Sequence, residues 1–186
     1  HFELGGLRFR ALHTPGHTPE HMMYEVIDQP SGPDPLGLIT GDFVFVGALG
    51  RPDLLETAMG QAGIQEACAK SLHASAARFL DMPDFLQVWP AHGSGSACGK
   101  ALGSVPQSTV GYERRTNRSL AFVGNENEFV EDILSGQTAP PLYFERMKRL
   151  NRDGVPPLQL TGPPVLTAEE CKALDLDEVV VIDTRP

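Results

Sequence analysis

A chain of 186 residues, 41% hydrophobic and 7% aromatic, is long enough to bury a substantial core. Its formal net charge of −9 argues against nucleic acid or an anionic membrane as the main partner. No apolar run nears the roughly 18 residues of a membrane-spanning helix. Cys68, Cys98 and Cys171 lie far apart without a C-x-x-C pair, the usage of a reducing compartment, so a cytoplasmic protein is expected.

LRFRALHT (7–14) alternates apolar and polar residues from Leu7 and predicts a strand. MMYEVI (22–27) predicts a second, the Pro- and Gly-dense QPSGPDPLG (29–37) a turn, and LGLIT (36–40) a third strand running into Gly41-Asp42. In GIQEACAKSLHASAARFL (63–80) the apolar residues Ile64, Cys68, Leu72, Ala76, Phe79 and Leu80 recur at helical spacing, and Pro83 stops the pattern. FLQVWP (85–90) predicts a buried strand, followed by the loop HGSGSACGK.

From 106 to 152 the pattern is helical, including NEFVEDIL (127–134) and PLYFERMKRL (141–150). VPPLQLTGPPV (155–165) is Pro-rich and predicts a semi-rigid linker. Thr167 with Glu170 then spells a capping box, ahead of a helix and the strand-like EVVVI. The expected organisation is a domain over 1–154, a linker over 155–165 and the start of a second α/β unit over 166–186. With no initiator Met and a stop just after a strand-like run, a piece of a longer chain is expected.

TPGHTPEH (14–21) holds two histidines four apart, the spacing of a helical zinc pair. Pro15, Gly16 and Pro19 forbid a regular helix there. His17 follows the first predicted strand, Asp42 the third and His92 the fourth. Functional groups collect at such positions because rigid sheet holds the loops. Imidazole with carboxylate suits zinc or iron.

Taken together, TPGHT (14–18), TGD (40–42) and PAHG (90–93) resemble the second half of the metallo-β-lactamase fold. GRPDLL (50–55) is similar to the Gly-Arg-x-Asp motif of the persulfide dioxygenases with that fold. HGSGSACGKALGSVPQSTVGYERRTN (92–117) resembles the branch fused to a rhodanese domain, and EVVVIDTRP (178–186) resembles the opening strand and Asp-x-Arg of a rhodanese. The fold class implied is α/β: the C-terminal half of a metallo-β-lactamase αβ/βα sandwich, then a linker and the first helix and strand of a rhodanese-like domain. The family's His-x-His-x-Asp-His motif is absent from this sequence, as is the rhodanese nucleophile, which Cys171 is not.

The resemblance implies metal ligation by His17 and Asp42, with His92 at a second metal position, and a mononuclear Fe(II) cofactor. The reaction implied is oxidation of a low-molecular-weight thiol persulfide, of the glutathione persulfide type, by O2 to sulfite and thiol. The alternative is a thioester hydrolase of the glyoxalase II kind with two zinc ions, favoured if His92 is a true ligand. A third reading is an inactive fragment or interaction segment, with weak metal binding and an uncovered sheet face. Arg51, Lys100 and Tyr112 are the candidate substrate contacts, and Arg51 is equally read as half of a salt bridge with Asp53.

The partner expected is the small thiol persulfide, with neither nucleic acid nor membrane; a homo-oligomer is left open. The remaining groups read more plainly. His13 is structural, His21 supports the site, His73 lies on a helix surface, Cys98 is an ordinary small residue, and Arg114-Arg115 are solvated.

Overall fold

The computed structural model describes residues 1–57, 63–100, 102–157 and 162–182. They fall into two units, His1–Arg149 and Leu150–Pro186.

In the first unit, β1 (Phe2–Leu4) turns at Gly5-Gly6 and pairs antiparallel with β2 (Leu7–His13). β3 (Met22–Asp28) and β4 (Pro35–Gly41) extend the antiparallel sheet. A small hairpin of β5 (Val44–Phe45) and β6 (Ala48–Leu49) follows, then the short helix α1 (Leu54–Thr57) and the long helix α2 (Gln65–Leu80). The crossover through α2 brings β7 (Gln87–Pro90) beside β4 in parallel, and β8 (Ser108–Thr109) closes the six-stranded order β1-β2-β3-β4-β7-β8. Helices α3 (Val110–Thr116), α4 (Glu126–Leu134) and α5 (Phe144–Asp153) follow, with a single 3-10 turn over Ser119–Phe122 between α3 and α4.

Side-chain alternation decides which face of the sheet is covered. Leu12 opposes Met23, Glu25 opposes Leu38, and Leu38 opposes Val88, so these residues share one face. That face meets α2 through Ala69, Leu72, Ala76 and Phe79, all fully buried and spaced to form one helical stripe. Each buried Leu or Phe contributes roughly 1.5–3 kcal/mol of transfer free energy. Phe129 and Ile133 of α4 join the same buried cluster. The opposite sheet face carries the row Ala11, Tyr24, Ile39 and Trp89 across four strands, with Phe2 stacked on Phe9 at 4.9 Å. Phe2 is 52% exposed and Ile39 40% exposed on this open apolar face.

Several expectations are corrected. The first predicted strand is preceded by another, β1, whose signal was the Gly-Gly turn between two apolar runs. The hairpin of β5 and β6 was also missed; its turn is at Gly47, φ +78°. Helix α5 starts at Phe144 rather than at Pro141.

His73 is not a surface residue. Its Nε2–H donates to the Val123 carbonyl at 2.8 Å and its ring meets Phe129 edge-on at 5.2 Å, so it joins α2 to the start of α4. Arg114 is not merely solvated either. It donates to the carbonyls of Leu80 and Met82 and pairs with Asp84, tying α3 to the C-terminal end of α2. Arg115 stays exposed.

In the second unit, α6 (Ala168–Lys172) forms with the expected capping box. The Thr167 hydroxyl accepts from the Glu170 N–H, and the Glu170 carboxylate accepts from the Thr167 N–H. The strand expected at EVVVI is not formed: 179–182 have no strand pairing, and Val180 is 88% exposed. A strand is defined by its neighbour's hydrogen bonds, and among the described residues none is supplied. The Asp-x-Arg over 183–185 and part of the Pro-rich segment, 158–161, lie outside the described residues. Among the described residues no helix is long and apolar enough to cross a membrane.

Candidate metal centre

Because β2 and β4 are both antiparallel to β3, and β7 is parallel to β4, three strands run in one direction. His17, Asp42 and His92 each follow the carboxyl end of one of them. Ligands gather at that end of an α/β sheet. The Ala91 N–H donates to the Gly41 carbonyl at 3.0 Å, holding the ends of β7 and β4 side by side.

The PGHT turn is clamped from both sides. Thr14 N–H donates to the His21 carbonyl at 2.9 Å, Ser75 of α2 donates to the Pro15 carbonyl at 2.8 Å, and Arg78 of α2 donates to the His13 carbonyl at 2.7 Å. A Cβ on Gly16 would stand 2.6 Å from Leu72, so only glycine lets the turn lie this close to α2. His13 keeps the structural place expected of it, its Nε2–H donating to the Pro19 carbonyl at 2.7 Å.

His17 is 8% exposed. A carbonyl oxygen can only accept, so the 2.9 Å contact between His17 Nδ1 and the Arg51 carbonyl places the proton on Nδ1. The Nε2 lone pair then points at Asp42 Oδ2, 3.4 Å away. Burial pushes the His17 pKa down, against the pull of the Asp42 carboxylate, and favours the neutral ring a metal requires.

The same logic removes His21 from the ligand set. Its Nε2 accepts the Asp42 backbone N–H at 3.1 Å, so the proton is on Nδ1 and goes to Thr14 Oγ1 at 2.9 Å. Both nitrogens are committed. Burial, then the neighbouring His17, lowers its pKa and keeps that tautomer neutral. His21 therefore holds the backbone on which Asp42 sits, the supporting place expected of it. Gly41 makes the approach feasible: φ is +56°, and a Cβ there would lie 2.9 Å from His21 Nε2.

Asp42 faces two imidazoles. Oδ2 looks to His17, and Oδ1 lies 3.1 Å from His92 Nε2. Among the described residues Oδ1 is buried with no hydrogen-bond donor, because the His92 contact lacks hydrogen-bond alignment. Ligands held about 2.0–2.2 Å from one zinc-sized ion stand roughly 3.0–3.5 Å from each other. Both carboxylate–imidazole separations have that length, so the residues present fit a metal.

Arg51 braces this corner from behind. Its guanidinium forks onto Asp53 at 2.8 and 2.6 Å and donates to the Thr138 carbonyl at 2.7 Å, while its own N–H donates to the Cys98 carbonyl at 2.9 Å. At 1% exposure it is the salt-bridge partner of Asp53, one of the two readings expected of it, with its fork directed onto that carboxylate. Lys100 binds the carbonyl and carboxylate of Asp132 and lines a cavity of about 340 Å³ with Arg118 and Ser119. Tyr112, 59% exposed, borders a separate groove with Val46 and Val105.

The residue that sequence reasoning missed is Cys98. Its sulfur lies with Asp42 and His92, the three ligand atoms all within 4.8 Å of one another. No spacing rule links the three, and only the fold of the 92–100 loop brings the thiol back.

No family model matches the chain. Among curated proteins, it is 32% identical over 90 residues to the Bacillus subtilis protein named probable metallo-hydrolase YqgX, covering 48% of this chain and 36% of that one. It is 30% identical over 129 residues to a Burkholderia pseudomallei protein also named probable metallo-hydrolase, covering 68% of this chain and 40% of that one. The chain thus spans well under half the length of these relatives. Among solved structures, a metallo-beta-lactamase from Staphylococcus aureus superposes with a TM-score of 0.76 at 40% identity, over 87% of this chain and 44% of that one.

The fold is the metallo-β-lactamase fold. ETHE1 from Myxococcus xanthus shares it, with a TM-score of 0.59 at 23% identity, over 81% of this chain and 56% of that one. In this metallo-β-lactamase-fold chain, the corner built by His17, Asp42 and His92 lies at the carboxyl ends of the sheet strands.

Proposed function

We propose that the protein oxidises a low-molecular-weight thiol persulfide with dioxygen, with one iron(II) held by His17 and Asp42. The balanced reaction is RSSH + O2 + H2O → RSH + sulfite + 2 H⁺. The observation that carries this reading is the hydrogen bond from His17 Nδ1–H to the Arg51 carbonyl. It builds the Gly-Arg-x-Asp segment, the motif that resembles the dioxygenases, into the back of the metal corner. When bound, iron supplies the one-electron chemistry that dioxygen requires.

The chain's own residues prepare the site. Burial holds the His17 ring neutral, and the Arg51 carbonyl selects the tautomer that presents Nε2. His21 fixes the Asp42 backbone. Half-exposed His92, its ring 5.9 Å from Phe45, would face an incoming substrate in this reading. The rhodanese-like reading of 166–186 belongs to the same proposal: such a unit would move sulfane sulfur to or from the substrate pool. The only support within the described residues is the capped helix α6.

A second reading, a metal-dependent thioester hydrolase of the glyoxalase II kind, is favoured by two observations. His92 stands against Asp42 at a ligand-to-ligand distance, and the two relatives carry metallo-hydrolase names. Oxygen uptake with glutathione persulfide, run beside hydrolysis of S-lactoylglutathione, separates the two. Uptake with sulfite release by iron-loaded protein is expected. Thioester cleavage without uptake selects the hydrolase, and neither activity selects an interaction role.

A further inference from the structure

We propose that the cavity at the carboxyl end of α4 binds a small zwitterion of the α-amino-acid class, its carboxylate on Arg118 and its ammonium on Asp132. The cavity measures about 340 Å³ and lies between α4, the turn of the β5–β6 hairpin and the 3-10 turn that Arg118 precedes. The proposal rests on neither the metal nor the persulfide of the reading above.

The cavity wall carries both signs of charge. The Asp132 side chain is 12% exposed; its Oδ2 accepts the Ser119 O–H at 2.9 Å, and its Oδ1 stands 3.4 Å from Lys100 Nζ. An ionised carboxylate offers roughly four acceptor positions, so Asp132 keeps room for an incoming N–H donor. Lys100 is committed, because its ammonium also donates to the Asp132 carbonyl. Arg118 is not committed. It is exposed, and among the described residues its guanidinium has neither an ion-pair partner nor a hydrogen-bond acceptor. Its planar fork suits a carboxylate.

The end of α4 narrows the ligand class. Ser135 and Gly136 line the cavity where the helix stops, and the partial negative charge of a helix carboxyl end favours a cation. A simple anion would satisfy Arg118 but face Asp132 and this helix end. A simple cation would satisfy Asp132 but face Lys100 and Arg118. A molecule carrying both charges on neighbouring carbons meets both walls with complementary charge. Leu49 and Ile133, each 1% exposed, and Ala48 supply an apolar lining for a short aliphatic side chain. Lys100 ends the loop that begins at His92, so the ligand would lie against the segment leading away from the metal centre.

Calorimetric titration of the whole protein with L-alanine and with glutathione, whose γ-glutamyl end carries the same pair of charges, tests the site. Saturable binding near about one ligand per chain is expected, with propionate and ethylamine, which carry one charge each, at least about tenfold weaker. Alanine binding makes the occupant a free amino acid, and binding of glutathione alone makes it the amino-acid end of a larger thiol. Arg118→Gln should weaken either by about tenfold or more, with the thermal unfolding midpoint unchanged because the side chain touches no other described group. Amide NMR shifts on binding should centre on Ala48, Ser119 and Gly136. Binding of neither zwitterion, propionate or ethylamine as tight as alanine, or parental affinity in Arg118→Gln overturns the proposal. Failure of persulfide oxidation with this binding intact counts only against the reaction proposed above.

Discussion

The carbonyl oxygen of Arg51 and the Nδ1–H of His17 meet at 2.9 Å, joining a buried ion pair to a histidine of the candidate metal centre in one hydrogen bond. Arg51 acts on the site through its backbone, whereas its guanidinium faces away onto Asp53 and Thr138.

Breaking that ion pair should loosen the metal corner. Arg51→Ala is expected to cost about 3–5 kcal/mol, the range for removing one partner of a buried pair. Arg51→Lys should rescue little, because an ammonium cannot reproduce the two-pronged grip on Asp53. Urea unfolding of both variants measures the loss. A parental midpoint in Arg51→Ala would refute the bracing role.

His17 and His21 are predicted to separate cleanly in metal binding. His17→Ala should abolish binding at its corner. His21→Gln should weaken it by about 10–100-fold, the usual effect of removing a group that orients a ligand. Calorimetric titration with iron(II) or zinc distinguishes them, and equal effects would overturn the purely supporting role of His21.

Gly41 permits the close meeting of β4, Asp42 and His21. Gly41→Ala places a side chain at φ +56° and 2.9 Å from His21 Nε2, so a loss of about 1–3 kcal/mol is expected, with metal affinity falling alongside. Thermal unfolding checks the first and metal titration the second.

Acid should destabilise the metal-free protein through His17 and His21. Both have folded pKa values pushed below the ordinary 6.5, His17 first by burial and His21 first by burial. The unfolded chain therefore takes up protons before the folded one. The stabilisation is fully present above about pH 6.5 and is lost as pH falls through the folded values. Denaturation midpoints between pH 5 and 8 should be level at the alkaline end and decline toward acid. His17→Ala should flatten part of the slope.

Much of the fold was legible because its signals are local. The stripe Cys68, Leu72, Ala76 and Phe79 announced α2, and Thr167 with Glu170 announced the cap of α6. EVVVI failed as a strand for the opposite reason, since high strand propensity does not supply a pairing edge. Arg114 and His73 were misjudged because their partners, Asp84 and Phe129, lie in segments distant in the chain.

The sequence by itself determined where the site residues stand along the chain. Pro-Gly, Gly-Asp and Pro-Ala turns put His17, Asp42 and His92 just past strand ends, since turn chemistry depends on a few adjacent residues. Only the tertiary structure decided what those residues face. Strand direction brought the three ends together, the Arg51 carbonyl and Asp42 amide assigned the two histidine tautomers, and the 92–100 loop returned Cys98 to Asp42. Each of these is a contact between segments distant in the chain. No local pattern encodes it, because it follows from how the sheet and α2 pack.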